Sequence, residues 1–410
     1  MRNLIKMSML FSLTVFMFSC GNDDDPVDPV DPVGPTLEIP ETYEFTRDGE
    51  STVSFSGQVT RLSQSDELYG ALNDPSDFET LDAMFNGVDG SSAGFSNEDL
   101  NGTSKIIGSK TSASTLQGSA VDRQAFNDMI VEYTTEVVPN FDSPAEAGVA
   151  GVYPGTSYRL NAAGQEIDQL FFKGLIGAFT LDQIVNNYLH PNQLDSGDNI
   201  TNNDDDVLDG DSNYTKMEHK WDEGFGYLYG HLDDNGVGED LATAGSSPSG
   251  EGNLLMKYFK KVDEADGYQP GVGQVVYDAF IAGRTAIVNK DYAERDAQAD
   301  IIQVELSKVV GYYAVHYMND YVAKLSEGNI GGAHHSLSEA WGFLFSLKYT
   351  NDGMDESFMN ADTVDYFLAN YMSDFHTMDP GVLTAPASAP YPGMIAIVEE
   401  AFASKGHPLN

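Results

Sequence analysis

The string HKWDEGFGYLY, beginning at His219, returns as HSLSEAWGFLF, beginning at His335, and both fit His-x-x-x-Glu-x-aromatic-Gly-aromatic-Leu-aromatic. Two copies of one helical unit are expected from this. Because the copies begin 116 residues apart, each belongs to its own half of a duplicated architecture rather than to neighbouring turns of a short solenoid. In each copy the His and Glu are four residues apart, which on a helix puts them on one face, one turn apart. There they can hydrogen-bond to each other, or offer a nitrogen and a carboxylate to a shared metal ion.

The rest of the chain reads as helical around these copies. Residues 36–60 alternate polar and apolar residues about Asp48-Gly49, the pattern of a small hairpin or strap. Leu62, Leu68 and Leu72 then recur at helical spacing, as do Phe126, Ile130, Tyr133 and Val137, with a Gly/Ser/Asn-rich stretch of loops at 86–119 between them. The run 164–189 carries apolar residues around so much of its circumference that it should be buried on more than one side, with Pro191 as its stop. A second round repeats the order, with helices at 274–290 and 299–325, a turn at 329–332, and then the helix of His335. Helices from Asp362 and Pro392 close the chain. The expected fold class is all-α: two duplicated helical bundles, 61–260 and 261–410, behind a short extended N-terminal segment, with an acidic insertion at 195–213 in the first bundle.

At the N-terminus Arg2 and Lys6 precede an apolar run at 10–18 and then Ser19-Cys20-Gly21, which predicts a secretory signal over 1–19 with a lipoprotein-type cleavage site. The run is too short to remain as a membrane-spanning helix. Cys20 is the only cysteine, so it is expected to carry a lipid, and no intramolecular disulfide can form. The Asp/Pro repeat at 21–35 reads as an extended, self-repelling tether. The expected address is the outer membrane, on the cell surface or the periplasmic face, with the membrane engaged through the lipid anchor. With 64 acidic against 21 basic residues and a net charge of −43, the chain repels phosphate backbones, which excludes nucleic acid as a partner.

The candidate metal ligands are His219, Glu223, His335 and Glu339, together with Glu166 on the preceding apolar helix. Carboxylates with imidazole suit a divalent or ferric ion, iron in the first place, with zinc or calcium as alternatives. The same pairs read as buried structural hydrogen bonds, because a duplication keeps packing residues as readily as ligands. Trp221 and Trp341 fall at non-equivalent positions of the two strings and read as core packing. The acidic run of Asp204, Asp205, Asp206, Asp209 and Asp211 is not an EF-hand and reads as a solvated loop, with an irregular calcium site as the alternative. With Gly210 at the loop's sixth position, Val207 and Lys216 stand where oxygen ligands are required. The neighbouring HLDDNGVGED, from His231, is treated likewise as a solvated loop. No H-E-x-x-H or P-loop signature is present, and Gly90-Ser91-Ser92-Ala93-Gly94 falls in the Gly/Ser/Asn-rich loop stretch rather than at a strand-to-helix nucleophile elbow, so no catalytic residue is predicted.

The lipobox, the duplication and the His/Glu strings together resemble the imelysin-like superfamily. The segments FSGQVTRLSQSDEL and FSNEDLNGTSKIIGSKTSAS, which carry no evident chemistry of their own, are similar to an uncharacterised lipoprotein branch of it, a domain family of unknown function, over about residues 45–405. The resemblance implies an all-helical double bundle, an exported or membrane-anchored location, and the binding of metal, chiefly iron. That group's hallmark is Gly-x-His-x-x-Glu. Here the interval is four, Lys220 stands three before Glu223, and Gly332-Ala333-His334 begins the motif with Leu337 in place of its Glu. Three functions stay open: metal capture between the bundles with delivery to an outer-membrane transporter; a metal-dependent peptidase with Glu223 or Glu339 as general base; and a surface scaffold or glycan-capture lipoprotein whose pairs are structural.

Overall fold

Helix dominates wherever the apolar spacing predicts it, in a computed structural model that describes residues 37–230 and 254–409. The signal at 1–19, Cys20, the tether at 21–35 and the acidic run from His231 lie outside the described residues.

The strap is a hairpin of β1 (Thr46–Arg47) and β2 (Glu50–Ser51). It turns at Asp48 and Gly49, whose φ values of 54° and 86° are those of the hairpin turn that Asp-Gly favours. Then come α1 (Ser56–Ala71), α2 (Phe78–Asn86), a loop region with one short turn at Glu98–Leu100, and α3 (Ala120–Glu132). A second hairpin, β3 (Gly151–Val152) with β4 (Arg159–Leu160), leads into α4 (Ile167–Leu175). The small helices α5 (Pro191–Leu194) and α6 (Asn199–Asp204) precede α7 (Lys216–Tyr229), which carries the first copy of the string. The second round comprises α8 (Leu255–Asp263), α9 (Val272–Val288), α10 (Tyr292–Ser326) and α11 (Ile330–Ser346), which carries the second copy. Helices α12 (Ala361–Tyr371), α13 (Gly381–Thr384) and α14 (Met394–Ser404) complete it. Among the described residues no helix is long and apolar enough to cross a membrane.

Local signals account for several boundaries. Helix α7 starts on a capping box, with the Thr215 hydroxyl accepting from the Glu218 N–H and the Glu218 carboxylate accepting from the Thr215 N–H. Helix α10 ends before Gly328, at φ 75°, and Asn329 caps α11 by accepting from the Gly332 N–H. The turn expected at 329–332 is therefore the first turn of α11 itself. Pro191 does not simply stop the apolar helix; it opens α5 at the first helical position, where its missing N–H costs nothing. The acidic insertion also differs from expectation. Its α6 is anchored by Asn203, which donates to the Ile287 carbonyl at 2.8 Å and accepts from the Thr215 hydroxyl at 2.6 Å.

Helix α4 continues past Leu175 through two wider turns, Ile176–Leu181 and Ile184–Tyr188, and is buried on all sides. Its first part packs on α11 and its last part on α7, so one helix touches both copies of the string. A single apolar core runs through both halves. Where α4 widens, the hydroxyl of Ser346 donates to the Lys173 carbonyl at 2.7 Å and accepts from the Gly177 N–H at 2.9 Å. Those are the backbone groups that a wide turn strands, so the partner helix supplies what the irregular ladder lacks.

The glycine repeated in the string sets close approach in both copies. A Cβ on Gly342 would stand 2.3 Å from the Lys173 Cβ of α4, and one on Gly226 would stand 2.4 Å from the Phe55 Cβ. Trp221 is fully buried, donating to the Phe280 carbonyl at 3.0 Å, while Trp341 is half-buried and stacks on Phe345. The strap is tied down by Arg284, a fully buried guanidinium on α9. It donates to Asp222 at 3.0 Å, Glu218 at 3.1 Å and Thr52 at 3.1 Å, and the Tyr43 hydroxyl donates to the same Asp222 at 2.7 Å.

Candidate functional site

The spacing that puts His335 and Glu339 one turn apart on α11 aims both at α4. The His335 Nδ1 lies 2.5 Å from the Glu166 Oε2, and its Nε2 lies 3.4 Å from the Glu339 Oε2. Glu166 is placed by its own backbone, whose N–H donates to the Ser338 hydroxyl at 2.9 Å. Glu339 is balanced from α4 by the Lys173 ammonium at 3.5 Å. That ammonium also donates to Gln169 at 2.8 Å and faces the Tyr258 ring at 5.6 Å. Gln169 donates in turn to the Asp168 carboxylate at 2.7 Å. The Tyr158 ring, beside β4, stacks on His335 with centroids 4.5 Å apart and planes 10° apart.

Burial dominates the acids here. It raises the Glu166 carboxyl despite the opposing bond to His335, and it pushes Asp168 up to about 7, with the Glu166 charge adding to the effect. For His335 burial works against the imidazolium, but the Glu166 hydrogen bond and the charges of Glu166 and Glu339 outweigh it, so the ring is held protonated more firmly than usual. The cluster is thus closed by its own cations: His335 answers Glu166, and Lys173 answers Glu339.

The first copy has the same outline and different partners. The His219 ring stacks on Tyr214 at 4.6 Å, and its Nε2 stands 4.0 Å from the Glu223 Oε2, beyond hydrogen-bond reach. Glu223 accepts instead from Lys220 at 2.6 Å and from Gln58 at 3.1 Å. Burial works to raise that carboxyl, and the Lys220 charge overcomes it, so Glu223 is held ionised; burial keeps His219 below its usual range.

Three of the five predicted ligands, Glu166, His335 and Glu339, therefore meet, while His219 and Glu223 sit among other neighbours. Among the described residues no group of three or more His, Cys, Asp or Glu side chains is disposed to hold a metal ion. The reason is visible at His335. Its two nitrogens face two different carboxylates along diverging directions, so the donor atoms do not converge on a centre within the roughly 2 to 2.6 Å that metal bonds require. Among the described residues, His219 and Glu223 thus have partners of their own and do not join Glu166, His335 and Glu339 in one cluster. The acidic insertion offers no alternative: Asp206 pairs with Lys290 and Asp204 accepts from Tyr292.

Tyr158 and Lys173 complete the second cluster without any sequence signature, since each reaches its partner from a distant element, while Tyr214 of the first stands just ahead of the α7 cap, five residues before His219. Lys220, inside the string, was legible as a neighbour of Glu223 by its three-residue spacing alone. No curated protein and no solved structure matches the chain. A family model does match it, over residues 40–379, and the chain belongs to that family, a domain of unknown function (DUF4856).

Proposed function

We propose that this is a non-enzymatic binding lipoprotein, exported by the 1–19 leader and held at the outer membrane by a lipid on Cys20, in which the two His/Glu pairs are structural clamps. The observation that carries the reading is the closure of both pairs. Each His lies under a tyrosine ring, and each Glu is neutralised by a lysine, Lys220 in one copy and Lys173 in the other. A metal carrier needs converging, unpaired donors, and a metallopeptidase needs in addition an open position for water next to a free carboxylate base. Neither requirement is met by carboxylates already paired with lysines. The likeness of the strings to the imelysin-like superfamily supports export, and the closed pairs support the structural one of the three functions left open by sequence.

The test is metal analysis of the full chain in detergent, alone and as His219→Ala and His335→Ala, with thermal unfolding of each. The expected result is no stoichiometric metal and a lowered Tm in both variants. Stoichiometric metal that either substitution removes would overturn the reading and restore metal capture.

A further inference from the structure

The two copies of the string have opposite electrostatics. Around Glu166, Asp168 and Glu339 acids outnumber bases; around Glu223 the reverse holds. There the two segments to which the sequence assigned no chemistry, FSGQVTRLSQSDEL and FSNEDLNGTSKIIGSKTSAS, bring Arg61, Lys105 and Lys110 up to Lys220. The Lys110 ammonium donates to the Tyr188 hydroxyl at 3.0 Å, and Lys220 faces the same ring at 5.3 Å. Arg61 stands on α1 one turn beyond Gly57, and a Cβ on Gly57 would lie 3.1 Å from the Lys105 Nζ. Arg61, Lys105 and Lys220 thus stand close enough to act on the Lys110 ammonium, and the one carboxylate that acts with them is Glu223, which Lys220 already holds at 2.6 Å. In a chain with 64 acidic and 21 basic residues, so local an excess of positive charge runs against the whole surface.

Two of these groups lack the partners that burial demands. Arg61 is 5% exposed, yet its guanidinium forms no ion pair among the described residues and donates at long range to the carbonyls of Ile106 at 3.3 Å and Gly57 at 3.4 Å. Buried arginines are otherwise paired, because removing the charge from water is strongly unfavourable. The Tyr227 hydroxyl, on a residue 1% exposed, finds no acceptor for its proton, and the groups that act on it are Arg61, itself a donor, and the Glu223 charge. Burial and then the Arg61 charge push the Lys110 ammonium down to about 8, with Lys220 and Lys105 adding and Glu223 opposing. The group is short of negative charge.

We infer that Arg61, Lys105, Lys110, Lys220 and the Tyr227 hydroxyl form a binding site for a compact oxyanion of two or more negative charges, a phosphate or a small dicarboxylate. Such an anion supplies acceptors to the guanidinium, the ammonium groups and the orphaned phenol together, and the planar guanidinium matches two oxygens at once. Lys105, Lys110 and Lys220 are half-buried, so the site is reached from solvent. The inference gives a ligand class to the binding protein proposed above and rests on that reading. The metal analysis and the titration below fail independently.

The test is isothermal titration of the full chain in detergent, near pH 7 and at low ionic strength, with inorganic phosphate and separately with succinate. One-site saturable binding of at least one of them is expected, weakened about tenfold by Lys110→Met, the size of one lost charge-assisted hydrogen bond. Lys105→Gln should weaken it in the same direction. Lys110→Met removes a cation that has no carboxylate partner, so the variant should fold, with a Tm at or above that of the parent. Tighter phosphate than succinate identifies the phosphate class, and the reverse order the carboxylate class. No saturable binding of either anion up to about 10 mM, or binding that Lys110→Met changes by less than about twofold, would overturn the inference.

Discussion

Gly342→Ala and Gly70→Ala add the same methyl group to two helical glycines and should move stability in opposite directions. At Gly342 the new Cβ would lie 2.3 Å from the Lys173 Cβ and 2.9 Å from both the Gly174 N and the Lys173 carbonyl carbon. Those atoms belong to the α4 backbone and its first side-chain carbon, so no change of rotamer relieves them. Carbon atoms pack at about 3.5 to 4.0 Å, and α4 and α11 would have to part by about 1 Å where Lys173 meets Glu339 and Glu166 meets His335. Overpacking costs about 1 to 3 kcal/mol, and backbone involvement argues for the upper end. Against it stands the roughly 1 kcal/mol by which alanine favours a helix over glycine, which leaves a loss of about 2 kcal/mol. For a body of this size that is about 2 to 3 °C in Tm. At Gly70 an added Cβ meets nothing within 4 Å, so only the helix term acts, and a gain of roughly 0.5 to 1 kcal/mol is expected. Scanning calorimetry with urea unfolding measures both. A Gly342→Ala protein as stable as the parent would refute the claim that the repeated glycine sets the approach of the helices.

Arg284→Met should cost about 3 to 5 kcal/mol in urea unfolding, because it leaves Asp222 and Glu218 buried without the guanidinium that bridges them; a loss under about 1 kcal/mol would show the network to be dispensable. Asp168→Asn should change the pH dependence of stability. The folded carboxyl titrates near 7 against an ordinary 3.8, so its contribution is complete below 3.8 and is lost as pH rises through about 7. The parent should therefore lose stability across that window and the variant should not; parallel urea midpoints at about pH 5 and pH 8 would contradict this.

Much of the fold was legible because it is local. The apolar spacing of 164–189, the Asp48-Gly49 turn and the His/Glu strings each act through neighbours one to four residues away, and helix and hairpin follow from that. The candidate cluster was legible only in part. Glu166 and His335 do meet, 2.5 Å apart, and Lys220 meets Glu223 within the string, but other partners are supplied from elsewhere in the chain: Lys173 for Glu339, Tyr158 for His335, Gln58 for Glu223. The wide turns of α4 were not legible at all. They depend on Ser346, far along the chain, satisfying the carbonyl and N–H that the irregular ladder strands.

The sequence by itself determined that the chain is helical and that one helical unit occurs twice, since periodicity and repetition are written into neighbouring residues. Only the tertiary structure decided what the two copies do with their charge. Lys173 and Tyr158, from distant elements, close the second His/Glu pair, and the cations of two otherwise silent segments gather beside the first copy. Such meetings are set by how helices pack across more than a hundred residues of chain, and a four-residue spacing holds no information about them.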